Sequence, residues 1–276
     1  MSQNTKNYYL PGPSFWPLIA SISLFLLAGG FTMVLNKIAM GKPLMIAGGV
    51  ALAYLLYGWF AEVIGESVSK FYNKQVDKSF RWGMGWFIFS EVMFFFGFFG
   101  ALFYTRNVSI PWLADAQLLW PGFAAAWPSA GPGLTEAFTP MGAWGLPAIN
   151  TLLLLTSGVT LTWAHWGLMK DNRKQLTIGL ILTIALGVLF LYFQMHEYAE
   201  AGFTIKTGIY GATFYMLTGF HGLHVTMGAI MLSVILFRVL KGHFSSHDHF
   251  GFEAVAWYWH FVDVVWLFLF IFVYWL

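Results

Sequence analysis

Seven stretches of this chain are long and apolar enough to decide its surroundings: approximately Phe15 to Leu35, Leu44 to Val63, Phe80 to Tyr104, Ala148 to Met169, Leu176 to His196, Ile209 to Leu240 and Phe252 to Leu276. About 20 mostly apolar residues wound as a helix cross the roughly 30 Å hydrocarbon core of a bilayer. Barrel strands instead alternate over about 10 residues, a pattern these runs lack. The reading is therefore an all-α integral membrane protein with seven transmembrane helices. Composition agrees: 14 Lys and Arg with 12 Asp and Glu are only 9% of 276 residues, against about 25% in a soluble domain. The absence of cysteine removes disulfides, zinc-thiolate sites and thiol catalysis. A net charge of +2 argues against a nucleic-acid partner. The sixth run exceeds a bilayer thickness, so it is expected to tilt or to project past the interface.

The basic residues between the runs set the orientation. Ten of the 14 fall on the N-terminal side: Lys6, Lys70, Lys74, Lys78, Arg81, Lys170, Arg173, Lys174, Arg238 and Lys241. Lys37, Lys42, Arg106 and Lys206 fall on the other. This places the N-terminus in the cytoplasm and the C-terminus outside. The first run is too long for a signal-peptide core and lacks a convincing cleavage site, so it reads as an uncleaved span. The division expected is a two-helix hairpin at 1–65, an inner connecting loop at 66–79, and a five-helix bundle at 80–276. Within the bundle a long outer loop runs over about 106–147. That loop holds six of the ten prolines and the tryptophans Trp112, Trp120, Trp127 and Trp144, which suit the headgroup layer or a partner surface.

Ionisable side chains are costly in lipid, so each one inside a run is a functional hypothesis. Glu91 lies 11 residues into its run; at about 1.5 Å per residue it reaches mid-membrane. It reads either as a proton-active group or as a neutral acid hydrogen-bonded to a neighbouring helix. His221 and His224, at i and i+3, can share one side of the sixth helix. A metal would need further ligands from facing helices; His260 is the main deep candidate, since His165 and His196 fall near helix ends. No metal is assigned on that ligand set. His260 and Asp263, again i and i+3, suit a hydrogen-bonded pair holding the last helix. Gly211, Thr218 and Gly222 form one small-residue stripe, as close packing of helices requires. Arg238, Lys241, His243, His247 and His249 gather at the inner end of the sixth run, where anionic lipid headgroups are attracted.

A transporter or receptor is disfavoured, because no run is broken by paired Gly and Pro and no inverted repeat shows. A retinal protein would need a lysine in the last run, which has none. The other class is a non-catalytic subunit of a larger membrane enzyme. The C-terminal third carries Gly219-Phe-His-Gly-Leu-His-Val225, Phe237-Arg-Val-Leu-Lys241, and an unbroken block from His249 through Glu253, Trp259-His260 and Asp263 to Phe268. With Arg81-Trp-Gly-Met84, Ser90-Glu-Val-Met-Phe-Phe95, Ser157-Gly, Thr162-Trp-Ala-His165 and Gln194-Met-His-Glu-Tyr198, these segments resemble subunit III of cytochrome c oxidase, in family order from about Trp59 to the C-terminus.

The resemblance implies a core subunit of a proton-pumping terminal oxidase, with no cofactor bound by this chain. Haem a and copper belong to the partner subunits, and cytochrome c is the donor to the complex. Subunit I is the main expected contact, subunit II lies in the same complex, and a small subunit IV is an optional further member. Helices one and two would be separated from the five-helix bundle by a V-shaped cleft filled with structural phospholipids. The lipid-binding positions carried over are Trp59, Glu66, Arg238, Lys241 and His243, with Glu91 as the family's buried carboxylate; His221, His224, His260 and Asp263 are structural intramembrane polar residues. The implied roles are stabilising subunit I, holding phospholipid and supporting proton uptake. Subunit III of a quinol oxidase and a stand-alone proton-coupled transporter are the alternatives; quinol-oxidase relatives commonly have five helices here. The Phe80 to Arg106 stretch resembles bacterial members, which implies a bacterial inner membrane. The chain departs from the family in having Gly65, Phe71 and Tyr72 where many members carry an arginine and a histidine pair, and Trp166 where many carry a second histidine.

Overall fold

The computed structural model describes residues 8–134 and 138–276, and among these it is helical with no strand. Lys6, counted above for orientation, lies outside the described residues, as do positions 135–137 of the outer loop. The α-helices are α1 (Trp16–Leu35), α2 (Gly41–Val68), α3 (Lys74–Tyr104), α4 (Ile110–Asp115), α5 (Leu146–Met169), α6 (Arg173–Glu200), α7 (Gly208–Leu240) and α8 (Phe250–Leu269). A π-helical turn at Thr105–Ser109 joins α3 to α4, and another at Phe270–Trp275 extends α8. Among the described residues seven helical spans are long and apolar enough to cross a membrane, the third being the continuous Lys74–Asp115.

The helix boundaries have local causes. Pro17, Pro111 and Pro147 sit in the first turns of α1, α4 and α5, where a missing N–H costs nothing. Asn172 caps α6 by accepting from the Gln175 N–H at 3.2 Å. The Asn73 side chain accepts from the N–H groups of Gln75 and Val76, each at 3.0 Å, so α3 begins at Lys74, six residues before its apolar run. The connection expected over 66–79 is accordingly a short non-helical link at 69–73. The outer loop is shortened likewise, since helix continues from α3 to Asp115.

The chain forms two compact units, Met1–Phe80 and Arg81–Leu276. In the first, α1 and α2 pack as an antiparallel hairpin at very short range: a Cβ on Gly30 would stand 2.7 Å from the Met45 nitrogen, and one on Gly48 2.8 Å from that of Leu27. Small residues at such points let helix backbones approach without help from the hydrophobic effect.

In the second unit α8 is the most enclosed span, with half of its most apolar window buried. Its Trp259 and Trp266 are fully buried among Phe190 of α6, Phe214 of α7, and Leu154 and Leu161 of α5. Trp259 donates its indole N–H to the Ser157 hydroxyl at 2.9 Å, and Trp266 donates to Thr151 at 2.9 Å, so neither buried ring leaves a polar atom unpaired. The long loop between α4 and α5 closes the start of α7: the Ile209 and Tyr210 N–H groups donate to the carbonyls of Ala130 and Ser129 at 3.2 and 3.1 Å. Gly208, at φ 54°, makes that approach, and any Cβ there would collide with the Ala130 carbonyl.

Candidate functional site

The deepest chemistry expected from sequence meets as a pair. Glu91 of α3 places Oε2 2.8 Å from Nε2 of His224 on α7. The other ring nitrogen, Nδ1, stands 2.6 Å from the Phe220 carbonyl. A carbonyl can only accept, so Nδ1 carries a hydrogen and donates it. The Nε2–Oε2 contact then needs one proton, on the imidazole or on the carboxyl. In either position the pair is neutral overall. Phe94, Phe95 and Tyr258 surround the His224 ring with centroids 5.8, 4.9 and 6.3 Å away, walling the pair with aromatic carbon.

His221, one turn earlier, goes elsewhere. It is buried and donates from Nε2 to the Val262 carbonyl at 3.2 Å, pinning α7 to α8. His260 and Asp263 approach at 3.5 Å on α8, and His260 Nε2 lies 3.4 Å from the Thr162 hydroxyl. The stripe of Gly211, Thr218 and Gly222 is not one interface. Thr218 is buried and accepts from the Tyr198 hydroxyl at 2.7 Å, and a Cβ on Gly211 would strike the Thr204 carbonyl, but nothing lies within 4 Å of where one would stand on Gly222.

The lipid-headgroup candidates divide between the two units. In the first, Trp59 is exposed and stacks on Phe60 at 6.1 Å. Glu66 receives two phenols, Tyr9 at Oε1 and Tyr72 at Oε2, each at 2.6 Å. Tyr72 thus partners this carboxylate from the link that follows α2. Its hydroxyl is raised above the ordinary value by burial and then by the bond to Glu66; that of Tyr9 is raised chiefly by the same bond.

In the second unit the Arg238 guanidinium covers the Phe244 ring at 4.3 Å, and its buried Nε has no hydrogen-bond partner among the described residues. His243 follows within the same turn, its N–H donating to the Arg238 carbonyl at 3.0 Å. Its Nδ1 is also unpartnered, and its pKa is lowered by desolvation and then by Arg238 and Lys241. Lys241 is exposed.

Two meetings of polar residues were not anticipated from sequence. Glu197, at the end of α6, is buried and accepts from the Tyr274 hydroxyl at 2.7 Å; the buried Gln194 one turn earlier was the available signal. His165, His249 and Glu253 also converge, although 84 residues separate the first two in the chain.

The family model described as cytochrome c oxidase subunit III matches residues 6–276. The chain is 44% identical over 276 residues to cytochrome c oxidase subunit 3 of Hippopotamus amphibius, and equally to that of Bos taurus, covering 100% of this chain and 99% of each relative. It is 44% identical over 268 residues to the same subunit of Prototheca wickerhamii, covering 97% of this chain and 96% of the relative. With seven membrane-capable helices and a match along its whole length, the chain belongs to the cytochrome c oxidase subunit III family.

Proposed function

We propose that this chain is a non-catalytic core subunit of a proton-pumping cytochrome c oxidase, carrying no redox centre itself. It stabilises subunit I, holds phospholipid and supports proton uptake, while partner subunits carrying haem a and copper reduce oxygen to water with electrons from cytochrome c. Subunit II and a small subunit IV are further members of the assembly, and its place is the bacterial inner membrane. The observation that carries this reading is the Glu91–His224 pair at 2.8 Å, within a chain similar along its whole length to named oxidase subunits. One proton shared inside an aromatic shell suits a supporting or buffering role in lipid.

Lipid holding is supported by unpartnered nitrogens on Arg238 and His243. A phosphate oxygen is the natural acceptor for both, with Lys241 adding charge at the surface. His243, kept neutral near pH 7 by its surroundings, offers a hydrogen bond rather than a charge. Trp59 and Glu66, both on α2, serve headgroups at the N-terminal unit. The Glu66 carboxylate keeps lone pairs beyond those used by Tyr9 and Tyr72, enough to accept from an ammonium headgroup.

Purifying the tagged chain in mild detergent, identifying its companions and recording a reduced-minus-oxidised spectrum tests the assignment. A haem a complex that oxidises cytochrome c is expected. A complex that oxidises only quinol would shift the assignment to the quinol oxidases. A folded, colourless chain without companions would remove it.

A further inference from the structure

We propose that the start of α5, the end of α6 and the final π-helical turn enclose a water-binding site, with Glu197 held in it as a neutral carboxylic acid. Three side chains make the site. Asn150 of α5 is 0% exposed, and Gln194 and Glu197 of α6 are 3% and 1% exposed. Both amide atoms of Asn150, both of Gln194, and Glu197 Oε2 are buried without a hydrogen-bond partner among the described residues. Polar atoms enclosed in this way are costly unless a small polar ligand joins them.

The register of the α5–α6 hairpin brings the three together. Thr183 of α6 meets the Thr160 hydroxyl of α5 at 2.8 Å and the Ser157 carbonyl at 3.4 Å. Asn150 lies two turns before Ser157, and Gln194 three turns after Thr183, each on the face that carries this contact. On antiparallel helices the two amides therefore come to about the same height. Glu197 follows Gln194 by one turn. Its Oε1 accepts from the Tyr274 hydroxyl at 2.7 Å, and Gln194 approaches the same hydroxyl without closing a hydrogen bond. A buried water makes about three hydrogen bonds to polar groups that lack other partners, which suits an amide from α5, an amide from α6 and the second carboxyl oxygen.

Charge balance sets the state of the acid. Glu91, Glu253 and Asp263 each stand beside a histidine or an arginine, whereas among the described residues Glu197 has no cation in contact. The titratable groups around it are phenols with partners of their own. Tyr198 donates to Thr218, Tyr215 donates to the Phe203 carbonyl, and Tyr210 accepts from the Met141 N–H. His196 and Glu200, on the same helix, are exposed and face each other at 3.3 Å. A carboxylate enclosed without a countercharge is far more costly than the neutral acid, so Oε2 carries a hydrogen and donates it to the water. The site belongs to the bundle alone and holds whichever complex the chain joins.

The intact complex, solved at a resolution that shows ordered water, tests the site without any substitution. Density within hydrogen-bonding distance of Glu197 Oε2 and of at least one of the two amides is expected; direct amide–carboxyl contacts that leave no room for water overturn the site. Infrared spectra of the same complex, unaltered minus Glu197→Gln, read the acid. A carboxylic C=O band that shifts in deuterium oxide and is missing from the variant is expected, and a carboxylate band in its place overturns the neutral acid. Glu197→Gln copies a neutral acid, accepting from Tyr274 through one atom and donating through the other, so it should melt close to the unaltered chain. Glu197→Leu should melt well below it, because it strands Tyr274 and the water; an equal fall in both variants counts against the site.

Discussion

Glu91 and His224 can be separated experimentally because their contact depends on one proton. In Glu91→Gln the amide can donate to a neutral imidazole, so the hydrogen bond survives while the transferable proton disappears. We expect the complex to assemble and oxygen reduction to remain mostly intact; complete loss of turnover in an assembled complex would place the chain in the reaction itself. His224→Leu should be harsher on folding, by about 1–3 kcal/mol, because it strands a half-buried carboxyl, and detergent unfolding measures it. Arg238→Ala is expected to lower the phospholipid that co-purifies and shorten catalytic lifetime; unchanged lipid by mass spectrometry would count against Arg238 as a headgroup ligand. Tyr72 offers a pH test. Its folded pKa is raised by burial and by Glu66, so its contribution is whole below the unfolded value of about 10 and is lost as pH rises through the folded one. The melting temperature of Tyr72→Phe should therefore fall less between about pH 9 and pH 11 than that of the unaltered chain. Glu91 was legible in the sequence from its depth in an apolar run, but its partner was not. His221 and His224 are equivalent by spacing, and only packing sends one to a carbonyl and the other to the carboxyl.

Between elements, glycine governs how closely the helices pack. Trp259 of α8 is held between Gly187 of α6 and Gly228 of α7, where an added Cβ would stand 2.6 and 2.7 Å from the indole ring. Gly187→Ala or Gly228→Ala should cost about 1–3 kcal/mol by overpacking, and thermal unfolding in detergent would measure it. The α5–α6 hairpin uses the same device at Gly167 and Gly179, each leaving under 3 Å for a Cβ against the other helix. The seven spans were legible because lipid demands length and apolarity from each helix alone. Their ends were less so. The apolar run beginning at Phe80 gives no sign that the polar turn before it is also helical, which Asn73 decides through its side-chain cap.

At the scale of the whole molecule, the second unit holds its own buried core from α5 to α8. A chain lacking residues 1–65 is therefore expected to keep near-native aromatic circular dichroism in detergent, and its loss would show that the bundle depends on the hairpin. The sequence by itself determined the solvent, the number of spans and the family, because those depend on apolar length, scarcity of charge and ordered blocks such as His249 to Phe268. Only the tertiary structure decided which polar groups meet. Glu91 and His224 are 133 residues apart in sequence and hydrogen-bonded in space, and Tyr274 reaches Glu197 across 77. Such pairings are set by helix rotation and approach, which follow from packing of Trp259 and its glycines rather than from the residues that pair. In lipid the hydrophobic effect does not choose which helix faces meet, so shape and hydrogen bonding must.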